Sequence, residues 1–158
     1  MKKYEFTGET KRVELWNRTA TLHRIKATVE FGFVKVGELG GWIEKEENLS
    51  HEGKAWVCGD AKVCGDAKVW GNAKVCGDAE VFLASHVLVM GSVGSRNDFT
   101  TFFRDKDNEI TVKCGCFLGK IDKFLEKVTQ THGNNKYALV YRAAVEVAKL
   151  QIELTERK

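Results

Sequence analysis

Three groups of residues carry side chains that could do chemistry. The first is histidine. Of four in the chain, His51 and His86 lie beside a repetitive segment, where a neutral imidazole could act as a general base. The second is Cys114 and Cys116 with His132. On an extended strand a Cys-x-Cys presents both thiols on one face, and with a histidine they could ligate a soft metal. No fourth ligand follows, and the spacing is not Cys-x-x-Cys. The competing reading is a tight bend between two small side chains, and it leaves the chain without a metal site. No third residue orients a Cys–His pair, so no nucleophile and no catalytic residue is assigned. The third group is the polar run Arg96, Asn97 and Asp98. It suits recognition of phosphate, nucleotide or protein. It equally suits capping of whatever precedes it through side-chain hydrogen bonds. Nothing in the chain calls for a cofactor.

The totals bound what can position these residues. The chain has 158 residues, 43% hydrophobic and 30% charged, the balance of an ordinary globular protein. A net charge of +3 permits an acidic partner without demanding one. No long basic block suggests a nucleic-acid arm. The opening Met1-Lys2-Lys3-Tyr4-Glu5-Phe6 has no apolar core of a signal peptide, and no apolar run is long enough to span a membrane. The expectation is therefore a cytoplasmic protein, no membrane contact, and five cysteines held as reduced thiols. The chain has no proline, so its turns must be built from Gly-Asp and Gly-Asn pairs.

Those pairs recur. From Gly53 the chain reads GKAWVC, GDAKVC, GDAKVW, GNAKVC, GDAEVF, then decays through LASHVL and VMGSVG. Within each unit Ala and Val are two residues apart and point to one face of a short strand. The Lys or Glu between them points to water, and Gly then turns the chain at positive φ. So short a strand buries nothing alone and is stable only when strands stack. The residue after each Val is Cys58, Cys64, Trp70, Cys76, Phe82 or Leu88. These form an outward apolar strip that needs a cover, supplied either by the chain's own termini or by a second subunit. Trp70 and Phe82 are therefore binding candidates, beside Arg96, Asn97 and Asp98. Lys62, Lys68 and Lys74 fall on different sides of such a stack and read as a solvated surface.

The hexads resemble the repeat of left-handed parallel β-helices. That resemblance implies three hexads per coil and a stacking step of 18 residues. It places Val57 under Val75 and that under Val93, Val63 under Val81, and Val69 under Val87. Ala55 meets Ala73, Ala61 meets Ala79, Lys62 meets Glu80 and Trp56 meets Lys74. It also sets Cys58 beside Cys76, close enough for a disulfide, although reduced thiols remain the expectation. The fold class expected is mainly β. A β-rich cap over residues 1–48 precedes a short left-handed parallel β-helix over 49–94, with a C-terminal α+β (ββαα) module over 95–158. In that module Phe99–Arg104 and Glu109–Lys113 read as strands. Ile121, Phe124, Leu125 and Val128 follow helical spacing that Gly133 ends, and Asn135 caps a second helix.

The stretch over residues 31–57 and the tail motifs also resemble prophage-type hexapeptide-repeat proteins. The tail motifs are Gly94-Ser95-Arg96-Asn97, Cys114-Gly115-Cys116-Phe117 and Thr131-His132-Gly133. The resemblance implies a non-enzymatic, phage-type interaction protein in a bacterial host cell. It would bind a host protein or ribonucleoprotein, for example as an inhibitor of a defence system such as a CRISPR effector. The exposed strip further implies a homo-oligomer, dimer or trimer. Two alternatives stand beside this. A hexapeptide-type acyltransferase would use His51 or His86 in a groove between subunits. A nucleotide- or nucleic-acid-binding protein would place Arg96 beside clustered lysines.

Overall fold

The computed structural model describes residues 2–95 and 98–154. The chain opens with an antiparallel hairpin of β1 (Tyr4–Glu14) and β2 (Thr19–Ala27). Ala20, Leu22, Ile25 and Ala27 of β2 are buried and Thr19 and Thr21 exposed, the pattern of a strand with one covered face. Strand β3 (Leu39–Ile43) pairs antiparallel with β2. Its Gly40 and Gly41 permit close approach. A Cβ at Gly40 would lie 2.7 Å from Ile25, Trp56 and the Val57 carbonyl, and one at Gly41 would lie 2.6 Å from the Ala61 carbonyl.

The hexads then supply four strands of two residues each: β4 (Trp56–Val57), β5 (Lys62–Val63), β6 (Lys74–Val75) and β7 (Glu80–Val81). Between them Ala61, Ala67 and Ala73 N–H groups donate back to the carbonyls of Cys58, Cys64 and Trp70 over 3.0–3.4 Å. Gly59, Gly65 and Gly71 sit at φ 63–65° inside these turns, while the following Asp or Asn keeps negative φ. That is the type II′ arrangement, which needs Gly at its first central position. Every repeat Ala and Val from Ala55 to Val81 is buried, in one cluster with Tyr4, Ile25, Ile43, Leu49 and Phe103.

The chain is not a parallel β-helix. Among the described residues parallel pairing is confined to three strand pairs, β3–β5, β5–β7 and β4–β6, and one isolated bridge between Leu49 and Val69. The largest sheet is mixed, in the order β1-β2-β3-β5-β7, and β4-β6 is a separate pair. The step of 18 residues holds where Trp56 and Val57 pair with Lys74 and Val75, where Lys62 and Val63 pair with Glu80 and Val81, and between Cys58 and Cys76; it is not carried on to Val87 and Val93. Val69 bridges Leu49 instead, Val87 pairs with Phe103, and Val93 pairs with Asp98. The cause lies at Leu83, where the Gly-Asp turn is lost. Ala84–His86 forms a single 3-10 turn, and the chain leaves it as the seven-residue strand β8 (Val87–Val93). A strand of that length has a full edge to pair, and it pairs antiparallel.

Its partner is β9 (Asp98–Arg104), followed by β10 (Ile110–Cys114) and β11 (Phe117–Lys120), giving an antiparallel sheet in the order β11-β10-β9-β8. The C-terminal part is thus not ββαα. It has an additional strand, β11, and it recruits β8 from the repeat region. Helices α1 (Ile121–His132) and α2 (Lys136–Gln151) cover this sheet. Gly133 ends α1 at φ 60°, and the Asn135 side chain caps α2 by accepting from Ala138 N–H. Successive residues of β9 face opposite ways. Phe103 enters the repeat core and Phe102 the helix-covered core, so this one strand joins the two. Among the described residues no helix is long and apolar enough to cross a membrane.

Candidate functional site

The outward strip is where the fold decides what remains available. Cys58 and Cys76 are joined as a disulfide with Cα atoms 4.6 Å apart, a correction to the expectation of reduced thiols. Cys64 and Phe82 lie under the β1–β2 hairpin with Val13, Leu15, Ala20 and Leu22. Leu88 packs into the helix-covered core. Trp70 is left 51% exposed. Phe82, the other aromatic of the strip, is only 8% exposed, with Trp16 edge-on at 6.3 Å and the Arg104 guanidinium 5.5 Å from its ring centre.

Trp70 is held in place from both sides. Before it, Val69 N–H donates to Asn48 O and Val69 O accepts from Ser50 N–H, both at 2.9 Å. After it, the Phe99 ring lies over Gly71, where a Cβ would come within 2.4 Å of the ring, and meets Trp70 edge-on at 5.8 Å. The indole borders a groove of about 370 Å³ lined by Glu46, Glu47, Leu49, Ser50, His51, Lys68 and Val69. The floor is apolar. One rim carries the two carboxylates, presented by the 3-10 turn Glu46–Asn48, and Lys68 also lines the groove. His51 Nε2 lies 2.8 Å from Glu46, and this hydrogen bond holds the Glu46 carboxylate below its ordinary range, aided by Lys2 at 3.3 Å.

Neither candidate base is poised for proton transfer. His51 is stacked on Tyr4 at 4.0 Å, and its Nδ1 accepts from Lys3 N–H, so both ring nitrogens are engaged. Lys3 itself is buried. Its ammonium donates to the Ala55 carbonyl at 2.7 Å, and burial lowers its pKa to about 8. His86 is buried, and its Nδ1 accepts from Phe82 N–H at 3.1 Å. Burial, with Arg104 nearby, lowers its pKa to about 4.

Cys114, Cys116 and His132 do come together, lining a second pocket of about 260 Å³ with Ser95, Lys127 and Tyr141. Ser95 Oγ is 3.2 Å from His132 Nε2, and Ser95 N–H donates to the Tyr141 hydroxyl at 3.1 Å. Cys-Gly-Cys is the β10–β11 turn, with Gly115 at φ 57°, Cys114 half-buried and Cys116 exposed. Among the described residues no group of three His, Cys, Asp or Glu side chains stands close enough to hold a metal ion. Arg96 and Asn97 lie outside the described residues. Asp98 is exposed, its carboxylate accepting from Phe99 N–H at 2.7 Å.

Sequence reasoning placed Trp70 but missed Glu46, Glu47, Ser50 and Lys68 around it. The signal was present: the acidic pair Glu46-Glu47 stands just before the buried Leu49. Compared with known proteins, the chain matches no family model and no curated protein.

Proposed function

We propose that this chain is a non-enzymatic interaction protein whose contact with its partner centres on Trp70. The observation that carries this reading is the fate of the outward strip. Five of its six residues are bonded or packed by the chain itself, and the bulkiest is left half in water at the mouth of a groove. A rigidly held tryptophan beside polar rim groups is the composition of a binding hot spot.

The groove favours a polypeptide over a nucleic acid. Glu46 and Glu47 on its rim would repel phosphates and attract a lysine or arginine, while Leu49, Val69 and Trp70 receive an apolar side chain. The partner class follows from the prophage resemblance: a protein or ribonucleoprotein of a bacterial host cytoplasm. Inhibition of a defence system such as a CRISPR effector is one role of that class. The acyltransferase alternative has less support, because the ring nitrogens of His51 are both occupied and His86 is buried. The nucleic-acid alternative rests on Arg96, which lies outside the described residues, and on clustered lysines.

The test is paired capture from bacterial lysate, with and without nuclease, using the wild-type chain and Trp70→Ala and Glu47→Lys variants matched for thermal unfolding. A protein retained by the wild type and lost from both variants supports the reading. Retention by all three removes the groove from the interface. Capture abolished by nuclease moves the case to nucleic acid.

A further inference from the structure

Helix α2 is apolar on two opposite sides. Ala138, Tyr141, Ala144, Val145 and Ala148 are buried against α1 and the C-terminal sheet. At 3.6 residues per turn the other side presents Leu139, Ala143, Val147 and Leu150. These are open to water, Leu139 to 60% and Leu150 to 87%. A helix with apolar residues on both sides is ordinarily covered on both.

We infer that this face is covered by the same face of a second copy, α2 against α2 antiparallel about a twofold axis just before Val147. The charges beside the stripe select this occupant. Arg142, Glu146 and Lys149 lie along a single flank in alternating sign. Within one chain Glu146 and Lys149 are 3.6 Å apart and largely exposed. A twofold axis just before Val147 sets Ala143 against Leu150 and brings the two Val147 side chains together. The same axis brings Glu146 of each copy to Lys149 of the other, closing a four-charge ring. The arrangement is isologous, so one patch serves both copies. It is also independent of Trp70 and its groove.

A single helix face is small for a homodimer interface, so the dimer forms as concentration rises. Sedimentation equilibrium over a wide concentration range tests it. The mass doubles for the wild type. Leu150→Glu, with unchanged thermal unfolding, stays monomeric. Glu146→Lys alone and Lys149→Glu alone each weaken association at least tenfold, and an equimolar mixture of the two regains it. Oxidative crosslinking fixes the direction: Val147→Cys links to itself, whereas Ala143→Cys links only when mixed with Leu150→Cys. A wild type monomeric at every concentration, or a Leu150→Glu variant that still dimerises, overturns the inference. Self-linking of Ala143→Cys overturns the antiparallel register.

Discussion

Asn48 and Ala67 are 19 residues apart in the chain, and Asn48 Nδ2 donates to the Ala67 carbonyl over 2.9 Å. The same amide donates to Gly65 O, and its Oδ1 accepts from the N–H groups of Glu44 and Lys45. Asn48 is wholly buried. Two donors and two acceptor sites, all engaged, are the full capacity of an asparagine. The side chain ties the end of β3 to the hexad that ends in Trp70, and it fixes the 3-10 turn that carries Glu46 and Glu47. Asn48→Leu leaves the Lys45 N–H and two carbonyls without partners, and is expected to cost about 3 kcal/mol. Asn48→Asp sets carboxylate oxygens against those carbonyls and costs at least as much at neutral pH. Urea unfolding midpoints measure both. A loss within error of zero for Asn48→Leu would show that water replaces the amide.

The disulfide predicts a thiol count. With Cys58 bonded to Cys76, the remaining cysteines are Cys64, Cys114 and Cys116. Alkylation of the unfolded, unreduced chain labels those three, and prior reduction raises the number to five. The bond closes a loop with a sequence separation of 18. By loop-closure entropy that contributes about 3 kcal/mol, lost on reduction or in the paired Cys58→Ser, Cys76→Ser variant. Five labelled cysteines before reduction would remove this contribution.

Much of the repeat was legible in its residues and little of its extent was. Ala at the third and Val at the fifth position of each hexad predicts the buried column, and Gly59, Gly65 and Gly71 adopt the positive φ their positions require. The parallel β-helix was over-read, because two-residue strands specify only their neighbours. Nothing in LASHVL announces a 3-10 turn followed by a long strand, yet that change sends β8 antiparallel. The two C-terminal helices were visible in apolar spacing and in Gly133 and Asn135. β11 was hidden in Phe117–Lys120, too short to show alternation. At the site, Trp70 and Phe82 are equivalent in sequence. Only the path of the β1–β2 hairpin, which covers one and not the other, separates them.

Asp105 organises the β9–β10 turn. Its carboxylate accepts from Asp107 and Glu109 N–H, from Thr111 Oγ1 at 2.6 Å and from Lys120 Nζ at 3.0 Å. Burial pushes its pKa up, but the hydrogen bonds from Thr111, Lys120 and the backbone outweigh it and hold the pKa below the ordinary value. A carboxylate with a lowered folded-state pKa stabilises the fold above its unfolded pKa, and that contribution is lost as pH falls through the folded value. Asp105→Asn is therefore expected to cost about 2 kcal/mol at pH 7 and progressively less as pH falls below the ordinary aspartate value of 3.8. Unfolding of both chains followed from neutral to acid pH checks this. A difference that stays constant with pH would assign the loss to geometry alone.

His86 predicts a second, earlier acid response. It is buried beneath Trp16, whose ring centre is 6.0 Å away, and its Nδ1 is committed to Phe82 N–H. Burial and the Arg104 charge lower its pKa from 6.5 to about 4. The folded chain therefore holds this ring neutral where the unfolded chain protonates it. The contribution is fully present above about pH 6.5 and is lost as pH falls toward about 4. Each unit of pKa difference is worth about 1.4 kcal/mol, so the loss across that window is about 3 kcal/mol. His86→Gln keeps an acceptor for Phe82 N–H and cannot take up a proton, so its unfolding free energy should fall about 3 kcal/mol less than the wild type's across the same window. This also separates His86 from Asp105, whose response lies below it. A wild-type profile flat between those pH values, or a His86→Gln variant that keeps the slope, would show that another group titrates there. The hairpin that covers Phe82 would then not owe its acid sensitivity to the imidazole beneath it.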